Sequence, residues 1–518
     1  MQRRHLSPLA AVALALLIAC TASAEALRFS VSFPVATQRE PASGRLVVYL
    51  LKEGAKVGPR AEPADAPFFE DPQPCFGTDV KDAQPGQAML IDDNATAYPA
   101  KLSALPAGTY KVQAVLDTAR DDSSWSRENG NLYSTTTSFT HDPAAPKTVE
   151  LSLTKVTKVP APRSVNGAEV FTLKSTLLSD FHGREIRLRA GVALPINYDP
   201  ARAYPVIYEV PGFGGKADTA LFYPRMIESG RLAPDQKALL SSTFRVILEA
   251  ESGNGHTLWA DSANNGPWAK ALVTELIPAL EKKYKMTAKP EGRLIEGHSS
   301  GGWSALWLQV NHPDVFGGAW PSSPDPVDFR AFQRTDIYAA PNMYQSGAPA
   351  KDTPSFVTLD GKETMTVMVE NLVEEVIGPR NTSGQQWDSW HAVFGPRAAD
   401  GTPAALYDPV TGAIDKSVAE AYRAYDLGEM LRKNPDTIAP ILRQRVRLVC
   451  GEKDNFGLNN AVALLKADLD RLAPAKPEDK GYVKLVPGDH GTVHRDPAMQ
   501  GKAKEMLQTL KAAGVIGK

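Results

Sequence analysis

The chain has 518 residues and a formal net charge of −2. That length exceeds one ordinary hydrophobic core, so two or more domains are expected. The charges are balanced and no long basic run occurs, so nothing points to nucleic acid or an acidic membrane surface as a partner.

The first residues read as an export signal. Arg3 and Arg4 give a positive start, Leu9 to Ile18 a short apolar stretch, and Ala22-Ser23-Ala24 the small residues for cleavage before Glu25. The stretch is too short to span a bilayer, and no later segment has the run of about 18 apolar residues a span needs. Leu17-Ile18-Ala19-Cys20 also resembles a bacterial lipobox, which would leave a lipid anchor on Cys20. A strand-like run begins by Leu27 and leaves little tether, so soluble export to the periplasm or medium is the preferred expectation. Only Cys75 and Cys450 follow, too few for zinc held by cysteine pairs. Cys450 lies in the apolar run VRLVC, where a thiol acts as a small hydrophobe.

From residue 25 to 157, short runs such as LRFSVSF, GRLVVYLL, TYKVQAVL, STTTSFT and KTVELSLTKV alternate with turns. Period-2 alternation broken by Gly, Pro and Asp predicts an antiparallel, Ig-like β-sandwich. KVPAPRSVNG (Lys158 to Gly167) reads as a linker into a second domain over 158–518. There VFTLKSTLLS and REIRLRAGVALP predict a strand pair turning at Phe181-His182-Gly183. YPVIYEV, FRVILEA, RLIEG, VRLVC and YVKLVP are continuous apolar strands of the kind buried on both faces of a parallel sheet. Helical patterns lie between them, for instance over Trp268 to Tyr284. Strands alternating with helices predict an α/β layer fold, with function at the carboxyl ends of the strands. After Pro321 the strand rhythm stops for about 120 residues, apart from helix-like pieces at Thr364 to Val376 and Val418 to Lys433; this reads as a cap insertion over 324–445.

RLIEGHSSGGW carries the chemistry. Gly297 and Gly301 flank Ser299 by two residues on each side, between a predicted strand and a predicted helix over Ser300 to Pro313. A sharp strand-to-helix elbow of this kind lifts its serine clear as a nucleophile and demands glycine where the backbone is crowded. A serine hydroxyl needs a base, and the base an orienting carboxylate. In this fold the order along the chain is Ser, acid, His. Asp454 follows VRLVC and His490 follows YVKLVP, each at a strand end and in that order; Glu452 is the reserve acid. His494, four residues on, reads as structural, since a His pair without a carboxylate is a weak metal signal. The oxyanion needs backbone N–H donors. Ser300 supplies one, and Phe213 in Pro211-Gly-Phe-Gly-Gly215 the other, with Gly214 as the alternative.

These pieces resemble the α/β-hydrolase esterases of the esterase D and enterochelin-esterase type. The resemblance runs through KSTLLSDFHGREIRLRAGVALP, YPVIYEVPGFGG, NNGPWAKALVTELIPALEKKY, GHSSGGWSALWL and the Asp454 and His490 segments. It covers about Ser164 to the end, without the cap. A β-sandwich ahead of the hydrolase also looks like the enterochelin-esterase arrangement. The resemblance implies hydrolysis of an ester through an acyl-enzyme, with no metal and no organic cofactor. The substrate, a small-molecule or glycan ester, stays open among siderophore, carbohydrate and small acyl esters. Gly214, His256 (in the loop Glu251 to His256) and Trp390 (in Trp387-Asp-Ser-Trp390-His391) are candidate substrate contacts, with a solvated loop residue and cap packing as the other readings of the last two, whereas Trp303 and Trp307 read as packing. Two other readings stay open from sequence: acyl transfer on the same fold, and an inert envelope- or glycan-binding protein.

Overall fold

Residues 26–58, 60–65, 71–119 and 121–517 are described in a computed structural model. The expected export signal, with Cys20, lies outside the described residues.

The N-terminal strands form two sheets. The first is ordered Met89–Ile91, Arg28–Ser32, Thr148–Ser152. The second centres on Ala42–Lys52 between Cys75–Ala83 and Gly108–Asp117. Phe29, Val31, Leu46, Val48, Leu50, Phe76, Val112 and Leu116 share one core. Alternation alone would leave the other face of Ala42–Lys52 wet, yet Leu46 to Leu51 are buried without a break. Val47 and Tyr49, on that second face, pack against Val373 and Val376 of the helix Val367–Ile377 in the cap. Arg45 Nε donates to Val376 O at 2.9 Å beside them. Burying each such apolar side chain contributes roughly 1.5–3 kcal/mol, so the contact joins the N-terminal unit firmly to the cap.

The second unit is built on a sheet of nine strands. The order is Ser164–Val165, Ala168–Ser175, Ile186–Ala193, Phe244–Leu248, Val206–Val210, Arg293–His298, Gly318–Ser322, Arg447–Gly451, Tyr482–Val486. From Phe244–Leu248 onward the pairing is parallel; the strands before it pair antiparallel. The parallel strands are apolar runs because helices cover both faces.

Three sequence expectations need correction here. The run TLLSDFH is a helix, Thr176–His182, rather than part of a strand pair. Ser175 caps it by accepting from Leu178 N at 3.1 Å, and Gly183 ends it at φ 64°. The strand Gly318–Ser322 (GAWPS) was not foreseen; wholly buried, it shows neither alternation nor a β-branched run. The helix over Val418 to Lys433 is two helices, Lys416–Tyr422 and Leu427–Lys433, because Asp426 leaves the helical path and caps the second through Glu429 N at 2.9 Å.

The cap is not a separate lid with its own core. Phe329, Phe332, Trp387, Trp390, Phe394 and Tyr422 join the cluster that contains the sheet residues Tyr208 and Ile295 and the helix residue Trp303. Trp303 and Trp307 stack at 5.0 Å and are packing residues. Cys75 and Cys450 are buried free thiols. Among the described residues no helix is long and apolar enough to cross a membrane.

Candidate active site

Arg293–His298 runs into the helix Ser300–Asn311 with only Ser299 between them. Ser299 has φ 59° and ψ −129°, a backbone state costly for any residue with a Cβ. The surroundings hold it there. Ser299 N donates to Ser322 O at 3.0 Å, and its carbonyl accepts from Trp303 N at 3.1 Å and Asp325 N at 3.2 Å. A Cβ on Gly297 would lie 2.1 Å from Gly301 O, and one on Gly301 would lie 1.9 Å from Val210 O. The two glycines are therefore obligatory for close approach of three backbone segments.

Asp454 follows the end of Arg447–Gly451 and is buried. Its Oδ1 accepts from Phe456 N at 3.0 Å, which fixes the carboxylate. Its Oδ2 accepts from His490 Nδ1 at 2.7 Å. His490 lies past Tyr482–Val486, its own N–H held by Asn455 Oδ1 at 3.1 Å. Its ring sits between Phe456, edge-on at 5.0 Å, and His298 at 4.5 Å. His298 immediately precedes Ser299, so this contact places the imidazole beside the elbow. Ser299 Oγ makes no hydrogen bond among the described residues. The hydroxyl-to-imidazole link is thus open in this structure. Glu452, the reserve acid, is exposed and takes no part.

His298 stays neutral. Burial, then the neighbouring His490 and His494, push its pKa down to about 2, and Nδ1 pairs with Ser322 Oγ at 3.0 Å. His494 stacks on His298 at 4.5 Å and is likewise lowered, first by burial. It is packing for the site, as its lack of a carboxylate partner suggested. Among the described residues no group of histidine, cysteine and carboxylate side chains is placed to hold a metal.

Ser300 opens the elbow helix, so its N–H has no acceptor within the helix. The loop Pro211 to Gly215 lies against the elbow serine: a Cβ on Gly212 would come within 3.3 Å of Ser299 Cβ. Gly214 N–H is engaged by Glu251 Oε1 at 3.0 Å, so it is not available to an oxyanion. Phe213 N–H has no protein acceptor among the described residues.

Two of the suggested substrate contacts have other work. His256 is buried, with Nε2 on Pro211 O at 3.1 Å and Nδ1 accepting from Leu258 N at 3.1 Å. Both ring nitrogens are used, and the residue ties down the loop Pro211 to Gly215. Trp390 is buried in the shared core, and its Nε1 donates to Asp325 Oδ2 at 2.8 Å. The same carboxylate oxygen accepts from Ser300 Oγ at 2.8 Å. Asp325 is a site residue that sequence reasoning missed, because the strand leading to it went unrecognised. Burial raises its carboxyl to about 6 against the pull of those two donors.

Residues 182–492 match the model of the Esterase family, described as "Putative esterase". The chain belongs to this family. This esterase is accordingly an α/β-hydrolase-fold enzyme that hydrolyses carboxylic esters. No curated protein matches it. Similar solved structures include a ferulic acid esterase, at 14% identity and TM-score 0.37 over 66% of this chain and 98% of that one. FphF of Staphylococcus aureus, a fluorophosphonate-binding serine hydrolase, matches at 12% identity and TM-score 0.37 over 66% of this chain and 97% of its own. An S-formylglutathione hydrolase from Agrobacterium tumefaciens matches at 12% identity and TM-score 0.35, over 67% and 97%. The assignment to the family rests on the family match.

Proposed function

We propose that this esterase is an exported serine hydrolase with Ser299 as nucleophile, His490 as base and Asp454 as the carboxylate that orients it. Ser299 Oγ attacks the ester carbonyl carbon while its proton passes to His490 Nε2. The oxyanion is held by the N–H groups of Phe213 and Ser300. Collapse expels the alcohol, which takes the proton from Nε2 and leaves an acyl-serine. Water then attacks the acyl group, gives a proton to Nε2, and the returning proton restores Ser299 as the acid departs. The supporting observation is the 2.7 Å bond from His490 Nδ1 to Asp454, beside a strained serine on the same rim of the sheet. It leaves Nε2 as the basic nitrogen.

The N-terminal unit is read as an Ig-like β-sandwich, and the whole as enterochelin-esterase-like, acting on siderophore or carbohydrate esters. The two N-terminal sheets around one core support the first part; the sequence resemblance supports the second. Export is inferred from the arginine-led, apolar N-terminus. The deciding experiment is Ser299→Ala. It should fold as the parent does, lose p-nitrophenyl acetate turnover and take no fluorophosphonate label. Undiminished turnover would overturn the assignment. An ester panel of short acyl, feruloyl, acetyl-sugar and siderophore substrates then separates the substrate classes.

A further inference from the structure

The oxyanion loop is gripped from outside the catalytic unit. Arg127, in the short helix Trp125–Arg127 of the N-terminal unit, donates from Nη1 to Gly214 O at 3.0 Å, across 87 residues of chain. The same guanidinium is aimed by two further bonds, Nε to Asp122 Oδ1 at 2.8 Å and Nη2 to Ser123 Oγ at 3.1 Å. Ser123 Oγ in turn donates to Glu251 Oε2 at 3.0 Å, and Glu251 Oε1 accepts from Gly214 N. Both polar groups of Gly214 are thereby tied to one network that spans the two units. Lys216 adds a contact to Asp122 on the next turn of the loop.

Gly214 has φ +73°, so no side chain of its own and no regular element holds its orientation. Gly214 O, which Arg127 holds, shares a peptide plane with Gly215 N–H, and Gly215 N donates to Gly212 O at 2.9 Å, in the plane that carries Phe213 N–H. Fixing the first plane through Arg127, while His256 fixes Pro211 O on the other side, leaves the Phe213 N–H little freedom. A guanidinium suits the task because its planar fork can serve a carbonyl, a carboxylate and a hydroxyl at once.

We propose that Arg127 is a positioning residue for ester hydrolysis: through Gly214 it aims the Phe213 N–H at the oxyanion, so the N-terminal unit completes the catalytic site. The inference rests on the reading of Ser299 as nucleophile and Phe213 as oxyanion donor.

The test compares full-length Arg127→Ala and Arg127→Lys with the parent, with rates expressed per active site titrated by fluorophosphonate. A mispositioned donor costs kcat and leaves binding largely alone, so Arg127→Ala should lose about 10- to 100-fold in kcat, with KM changed less than about 3-fold. Arg127→Lys keeps the charge without the fork and should fall between. Guanidinium chloride at non-denaturing millimolar levels should raise the rate of Arg127→Ala and not of the parent. Correction by active-site titration removes any loss due merely to misfolding, and if Arg127→Ala does not fold, Arg127→Lys decides. Rates per site within about 2-fold of the parent in the folded variants, or a lowered Arg127→Ala rate that guanidinium leaves unmoved, overturn the proposal. Ser299→Ala separates the two levels: if it remains active, the underlying assignment fails; if it is dead while the Arg127 variants are normal, only the positioning role fails.

Discussion

His490 Nδ1 donates to Asp454 Oδ2 at 2.7 Å, and this bond sets the tautomer of the imidazole. A buried carboxylate accepts only, so the proton stands on Nδ1 and the lone pair on Nε2. Asp454→Asn offers an amide that can instead donate to Nδ1 and reverse the tautomer. The expected outcome is a fall in kcat of roughly 10³- to 10⁴-fold with little change in thermal stability, measured by p-nitrophenyl acetate kinetics and circular dichroism. A loss below about tenfold would argue against Asp454 as the orienting acid.

Asp325 carries a cost at neutral pH. Burial pushes its carboxyl up to about 6, above the 3.8 of an exposed aspartate. The folded state therefore holds this proton more tightly than the unfolded state does. The penalty is absent below pH 3.8, grows as pH rises and is full above about pH 6. Asp325→Asn should remove it: an amide oxygen still accepts from Ser300 and Trp390 without a buried charge. The variant should be more stable at pH 8 by up to about 3 kcal/mol, with the gain shrinking toward pH 4. Denaturant melts at both pH values check this. Equal stability of the two proteins at pH 8 would show that the carboxylate is compensated.

Gly301→Ala tests the elbow itself. The added Cβ would stand 1.9 Å from the carbonyl oxygen of Val210, a backbone atom on the neighbouring strand. Neither segment can retreat without breaking the sheet, so a loss of at least about 2–3 kcal/mol is expected, together with loss of esterase activity. Thermal melts and turnover measure both. A fully active, unshifted variant would mean that the strand and helix meet less tightly than described.

Much of the site was legible because its constraints are local or ordinal. The glycines around Ser299 answer a steric demand within five residues. Asp454 and His490 were legible as candidates because apolar strands announce their own carboxyl ends, and chain order did the rest. Asp325 stayed hidden because GAWPS carries neither alternation nor a β-branched run, so the strand that delivers it gave no signal. His256 and Trp390 could not be assigned from sequence for another reason. A polar or aromatic residue near a strand end looks the same in sequence whether it faces a pocket or turns inward to hold a loop.

The amino-acid order by itself determined most strands of the sheet, the elbow at Ser299 and the strand ends at which Asp454 and His490 stand, since periodicity and glycine placement act through neighbours along the chain. Tertiary structure alone decided that the cap and N-terminal unit share a packed face, that Trp390 is core, and that Arg127 reaches Gly214. Those contacts join residues far apart in sequence, and what selects them is the burial of surfaces that exist only once each unit has folded.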